Sequence, residues 1–295
     1  MTDLKAPVMA FLAQLAQRRS ASTVENYARD LRRMQQVLLD HQLENWGAAD
    51  QYVWLEWLNQ LSTTTSLASR RRYLSSLRQF YRFLLNEHLV EQDPTRDLKL
   101  PPLVATPTPH LSEPAMVQLL TAVKDTTPLA LRDRALLELL YATGVKVSEL
   151  LTLDVTDLNF ELGFLTVRDH LGQARLLPLS PVTQHWLQRY LQVARPLLQQ
   201  DGRSAGVFLN ARGGRLSRQA VWQLLKTTGQ AAALTIEVTP QVMRESFTAH
   251  LLAHQADYLV VMQLLGKQLP QAPLVPFSRV KAVYQATFPR YQEEG

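Results

Sequence analysis

Apolar positions return every three or four residues through most of this chain, and that spacing predicts a mainly helical fold. A first helix, Ala6 to Gln17, gathers Phe11, Leu12 and Leu15 on one side. Ser22, Thr23, Val24 and Glu25 read as a capping box that opens a second helix running to Leu38 or Leu39. A third, near Tyr52 to Leu61, carries Trp54 and Trp57 at helical spacing, which suits core packing better than base stacking. The fourth, Ser66 to Glu87, places Tyr73, Leu77, Phe80, Tyr81 and Leu84 on one apolar face.

From Asp93 the period stops. Pro94, Pro101, Pro102, Pro107, Pro109 and Pro114 forbid a helix interior, so residues 94–111 read as an extended linker. It separates a helical domain, 1–93, from a second domain, 112–295. Ser112 caps a new helix with Pro114 in its first turn. Between Arg132 and Leu158, Ala135, Leu136, Leu139 and Leu140 predict a helix with one buried face, and Gly144 permits a sharp turn. A short helix follows from Val147 through Leu151. Phe164 to Leu179 alternates apolar and polar residues, the mark of a small antiparallel hairpin or three-stranded sheet. Helices are expected from Thr183 to Leu198 and from about Ser217, with an amphipathic stretch from Val280 to Tyr291.

Composition narrows the chemistry. With 295 residues there is room for two cores. No cysteine occurs, which excludes disulfides, thiolate zinc sites and a cysteine nucleophile and fits a reducing cytoplasm. No apolar run reaches the roughly 18 residues of a membrane span and no leader opens the chain, so no membrane partner is expected. Net charge is +5 and neither side of the linker is strongly basic, so any nucleic-acid contact must come from local clusters. Two clusters stand out. Arg70, Arg71, Arg72, Arg78 and Arg82 lie largely off the apolar face of the fourth helix, whose sole carboxylate is Glu87. Such unneutralised arginines suit the phosphates of double-stranded DNA. Arg212, Arg215 and Arg218 flank a Gly-Gly turn at the mouth of a helix, a second natural phosphate site.

Four stretches carry a family resemblance. Ala142-Thr143-Gly144-Val145-Lys146-Val147-Ser148-Glu149-Leu150 resembles ATGLRVSEL of the tyrosine recombinases (integrase family) of the XerC/XerD type. The arginine helix is similar to that family's S-x-x-R-x-L-S-x-L-R-x-F-Y-x-F-L. Residues 207–222 resemble F-L-N-x-R-G-G-R-L-x-R-Q-x-V-W, and the run from Thr239 resembles T-P-H-x-L-R-H-x-F-A-T-H-L-L…L-L-G-H. The resemblance implies a mainly α fold with a small antiparallel sheet. It also implies a two-domain clamp on DNA, formed by a helical core-binding (SAM-like) domain and an α+β catalytic-type domain. Exchange of the C-terminal helix with recombinase-fold subunits and a role in chromosome segregation are further implications.

Family chemistry is attack by a tyrosine hydroxyl on the scissile phosphate, without metal or cofactor. Two arginines hold the phosphate, a hairpin lysine protonates the leaving oxygen, and two further groups assist. At the matching positions this sequence has Lys146 for the first arginine, His170 for the lysine, Gln241 for histidine and Lys267 for the last assisting group. Arg244 alone is kept, followed by Glu245, which could pair with it. Lysine loses the bidentate fork, glutamine cannot exchange a proton, and His170 remains able to act as an acid. Phe277 occupies the nucleophile position without an oxygen, and Pro270, Pro273 and Pro276 should disturb the helix that presents it. Tyr284 and Tyr291 lie downstream, more suited to packing than to attack.

These departures predict a DNA-binding protein of the recombinase fold that neither cleaves DNA nor exchanges strands, hence not an enzyme. The alternatives are an active recombinase with a non-standard site, and a protein-interaction partner of an active recombinase.

Overall fold

The computed structural model describes residues 4–102, 108–124, 126–199, 204–267 and 272–292. Pro107 and Pro270, with the middle of the expected linker, lie outside them. The chain divides into two compact units, Met1–Thr106 and Pro107–Gly295.

The first unit is built from α1 (Lys5–Ala16), α2 (Ala21–Asp40), α3 (Gln51–Gln60) and α4 (Leu67–Asn86). Helix α2 starts earlier than the capping box suggested: Ser20 is the cap, its side chain accepting from the Thr23 amide, and Ser22 is already helical. Ser20 sits three residues before Thr23 in an extended conformation, the geometry a cap needs. Asp50 and Ser66 cap α3 and α4 in the same way. The core is aromatic. Trp46 meets Phe80 edge-on at 4.6 Å, and the Trp54 indole donates to Tyr81 Oη at 3.1 Å, which itself donates to the Trp46 carbonyl at 2.8 Å. Trp54 and Trp57 are both buried in it, as core packing requires.

The second unit is organised around α6 (Pro128–Thr143), which follows α5 (Glu113–Thr121). Helix α6 is buried at every position from Arg134 to Thr143, so the single buried face expected for it is corrected to burial on all sides. It ends on Gly144 at φ 56°, where a β-carbon would also meet the Phe247 ring at 2.5 Å. Only glycine fits there. The short α7 (Val147–Leu150) leaves this turn. Strands β1 (Leu158–Asn159), β2 (Phe164–Arg168) and β3 (Ala174–Pro178) form an antiparallel sheet in that order, with Leu165 opposite Leu177. Then come α8 (Pro181–Arg189), a π turn over Tyr190–Ala194, α9 (Arg195–Leu198), α10 (Arg218–Ala231), α11 (Pro240–Ala253), α12 (Tyr258–Leu264) and α13 (Phe277–Thr287). Pro276 stands immediately before α13 and leaves that helix intact, which corrects its expected disturbance. A proline at the entry removes no helical hydrogen bond.

Among the described residues no helix is long and apolar enough to cross a membrane, and no group of acidic or histidine side chains could hold a metal ion.

Candidate functional site

Three helices of the second unit begin at one cavity of about 310 Å³. Val147 and Ser148 come from the first turn of α7, Arg218 and Trp222 from α10, and Pro240, Gln241 and Arg244 from α11, with Val145 and Lys146 completing the wall. Lys146 and Arg218 are exposed. Helix N-termini carry unsatisfied amides and the positive end of the macrodipole. Their meeting, with Lys146, Arg218 and Arg244 in the lining and the nearest carboxylate of Lys146, Glu149, buried behind it at 3.9 Å from Nζ, makes a basin for an anion.

The cations differ in what they can still do. Arg244 is buried, donating to the carbonyls of Gly144 and Leu265. Burial lowers its pKa from the ordinary guanidinium value, against the opposing charge of Glu149. Its backbone bonds tie the turn after α6 to the end of α12. Glu245 does not hold it: that carboxylate accepts from Gln241 Nε2 one helical turn back, which corrects the expected pair. Lys146 is the residue before α7, and its amide donates to Glu149 Oε2 at 3.0 Å.

Beneath this lies an ion pair that the spacing of residues left invisible. Arg175, on β3, gives both terminal nitrogens to the two oxygens of Glu149, at 2.9 and 2.8 Å, and its Nε to the Leu264 carbonyl at 3.0 Å. Burial alone would raise the Glu149 carboxyl; the Arg175 fork and the Lys146 amide and charge outweigh it, so its pKa falls below the ordinary value. Gly266, at φ +63°, allows the approach, since a β-carbon there would meet Arg175 Nη1 at 2.9 Å. Arg175 falls on the alternating hairpin with nothing in the pattern to mark it. Its glutamate partner is 26 residues away and has no periodic signal.

Other candidate positions are not in the cavity wall. His170 is exposed in the turn between β2 and β3, beside Asp169, whose carboxylate accepts from the Leu171 and Gln173 amides. Lys267 is exposed after α12. Phe277 opens α13, half-buried, with its ring edge-on to Phe164 at 5.7 Å. Tyr284 is completely buried, stacked on Phe288 at 4.9 Å, and its hydroxyl finds no well-formed hydrogen bond. Burial pushes its pKa well above the ordinary phenol value. Tyr291 is half-buried and accepts from Gln285 Nε2 at 2.6 Å.

The arginine clusters sort in the same way. Arg72, expected to be unneutralised, pairs with buried Asp30 on α2, and its guanidinium lies 4.5 Å from the Tyr73 ring centre. A carboxylate from another helix cannot be seen in the charge pattern of α4 alone. Arg71 donates to the Pro101 carbonyl at 2.7 Å, and Arg78 to the carbonyls of Thr95 and Leu98. Arg70 is half-buried, its Nε enclosed without a partner. Arg82 is exposed, and with Arg71, Arg78 and Lys99 it lines a larger cavity of about 630 Å³ within the first unit. In the second unit, Arg215 pairs with Asp154 and donates to the Leu153 carbonyl at 2.9 Å, while Arg212 and Arg218 are exposed.

Comparison with known proteins gives these groups a setting. Residues 8–88 match the phage integrase N-terminal SAM-like domain, and residues 110–269 match the phage integrase family. The chain is 34% identical over 278 residues to the tyrosine recombinase XerD of Oceanobacillus iheyensis, covering 92% of this chain and 93% of the relative. To XerD of Proteus mirabilis it is 36% identical over 284 residues, covering 94% and 90%. Among solved structures, the XerH site-specific recombinase bound to its difH substrate superposes with a TM-score of 0.70 at 18% identity, covering 94% of this chain and 81% of that one. A lambda integrase dimer bound to a COC′ core site gives 0.70 at 17%, covering 92% and 98%. At that identity the structures speak for the fold alone.

The expectation that this chain is not an enzyme is corrected by the sequence relatives, which are tyrosine recombinases matched across most of both chains. Single-residue departures at a site weigh less than similarity sustained over both domains, which places this chain in the phage integrase family, the family of the tyrosine recombinases.

Proposed function

We propose that this protein is a DNA-binding tyrosine recombinase that holds the backbone of duplex DNA and takes part in strand exchange through a phosphate pocket of non-standard composition. The observation that carries the reading is its similarity to XerD proteins over more than nine-tenths of the chain. The cavity where α7, α10 and α11 begin supports it, because its cations and helix ends suit a phosphodiester. In this reading residues 1–93 form the helical DNA-binding domain, 94–111 the linker and 112–295 the catalytic-type domain. Arg82, Arg212 and Arg218 are the exposed phosphate contacts, Arg71 and Arg78 reach DNA only by releasing their carbonyls, and Arg244 braces the pocket.

Cleavage requires a hydroxyl that Phe277 lacks. Of the tyrosines beyond it, Tyr291 is the more accessible, and Tyr284 is enclosed. The test is a nicked suicide duplex carrying the genomic site recovered with the protein, followed by a denaturing gel and mass mapping. A covalent adduct at a tyrosine is expected. Tight binding of that duplex with no adduct would overturn the cleavage half of the reading, and no binding would overturn all of it.

A further inference from the structure

One aromatic side chain stands in the cavity wall. Trp222 is 45% exposed, although tryptophan is ordinarily among the best-covered residues. The chain has five tryptophans. Trp46, Trp54 and Trp57 are buried, and Trp186 lies under the guanidinium groups of Arg134 and Arg189 at 4.6 and 5.4 Å. Among the described residues Trp222 has no ring partner and no cation over its face. It stands one turn after Arg218 on α10, so both side chains reach the same cavity. An exposed indole beside Lys146, Arg218 and Arg244 matches an amphipathic, anionic ligand. A phosphodiester with its deoxyribose is such a ligand: the phosphate meets the cations and the sugar meets the ring.

We infer that Trp222 is a DNA-positioning residue, its indole packing against the deoxyribose next to the phosphate held at Lys146 and Arg218. The inference rests on the DNA-binding reading above and deepens it. In duplex DNA the base faces are stacked, so the sugar edge is the apolar surface within reach. Packing of this kind releases no counterion, whereas a lost arginine contact does.

That difference supplies the test. Binding of a labelled mixed-sequence duplex is measured by anisotropy across a salt series for the wild type, Trp222→Ala, Trp222→Phe and Arg218→Ala. Trp222→Ala should weaken binding about tenfold with an unchanged salt slope, as for loss of an aromatic platform. Trp222→Phe should keep most of the affinity, and Arg218→Ala should reduce the slope by about one unit. Iodide quenching of the wild-type tryptophan fluorescence, with Trp222→Phe as background, reads the same contact without relying on a weakened variant. DNA should shield Trp222 from iodide. Wild-type binding without shielding, or with Trp222→Ala unchanged in affinity, would overturn the role of Trp222 and leave DNA binding standing. Failure of the wild type to bind at all would instead overturn the functional reading on which the inference rests.

Discussion

Glu149 shows how much one residue can carry. It caps the turn at Lys146, holds the Arg175 fork and is itself buried, so neither partner can be removed cheaply. Glu149→Gln should lower stability by about 3–5 kcal/mol, read from urea melts, because Arg175 then stays buried without its counter-charge. The sign of its pH dependence follows from the lowered pKa. The pair contributes fully above the unfolded carboxyl value of about 4.3 and loses that contribution as pH falls through the lower folded value. The Gln variant should lack this acid limb. His250 acts nearer neutrality. Its Nε2 donates to the Leu111 carbonyl at 2.8 Å, and in the neutral ring, which burial favours, Nδ1 accepts from the Tyr141 hydroxyl at 2.8 Å. Burial lowers its pKa. Its contribution is complete above the unfolded value of about 6.5 and is lost as pH falls through the folded value. The melting temperature should therefore begin to drop below about pH 6.5, and ring NMR should show His250 titrating below the ordinary histidine value.

At the scale of elements, α4 serves two purposes. One face supplies Leu77, Phe80, Tyr81 and Leu84 to the aromatic core, and its arginines divide between internal bonds and open surface. Arg72→Ala strands Asp30, which is 1% exposed, with Ser76 at 2.8 Å as its remaining donor. It should destabilise the first unit by about 3 kcal/mol, visible as an earlier melt. Arg82→Ala should leave the melt unchanged and reduce the salt slope of DNA binding by about one unit. An unchanged slope for Arg82→Ala would show that this face of α4 does not touch DNA.

Across the second unit, the residues just beyond α13 are held against α6. Arg290 lies beyond α13 and gives Nη1 to both oxygens of Glu138 in α6, at 2.8 and 2.6 Å. Glu138 also takes Arg134 at 2.8 Å, and Phe288 packs on Tyr141 at 5.2 Å. The amphipathic stretch from Val280 to Tyr291 thus packs on its own domain. Arg290→Ala should cost about 1–3 kcal/mol, because Arg134 still holds Glu138. Hydrogen exchange should rise along α13 and leave α4 unaffected. Equal protection in the variant would show that Phe288 and Tyr284 suffice to seat the segment.

Local rules determined most of the elements. Ser66, Ser112 and Ser217 cap helices where the pattern placed them, Gly144 turns the chain, and alternation over Phe164 to Leu179 became paired strands. Each depends on neighbours within a few residues, which a sequence displays directly. The family was also legible, because its motifs are short contiguous strings. What the tertiary structure decided was partnership. Asp30 reaches Arg72, Asp154 reaches Arg215, Glu149 reaches Arg175 and Glu138 reaches Arg290, across 42, 61, 26 and 152 residues. Which cations remain open to a phosphate depends on those pairings. A charge is free or committed according to what folding brings beside it, and no periodicity along the chain records that.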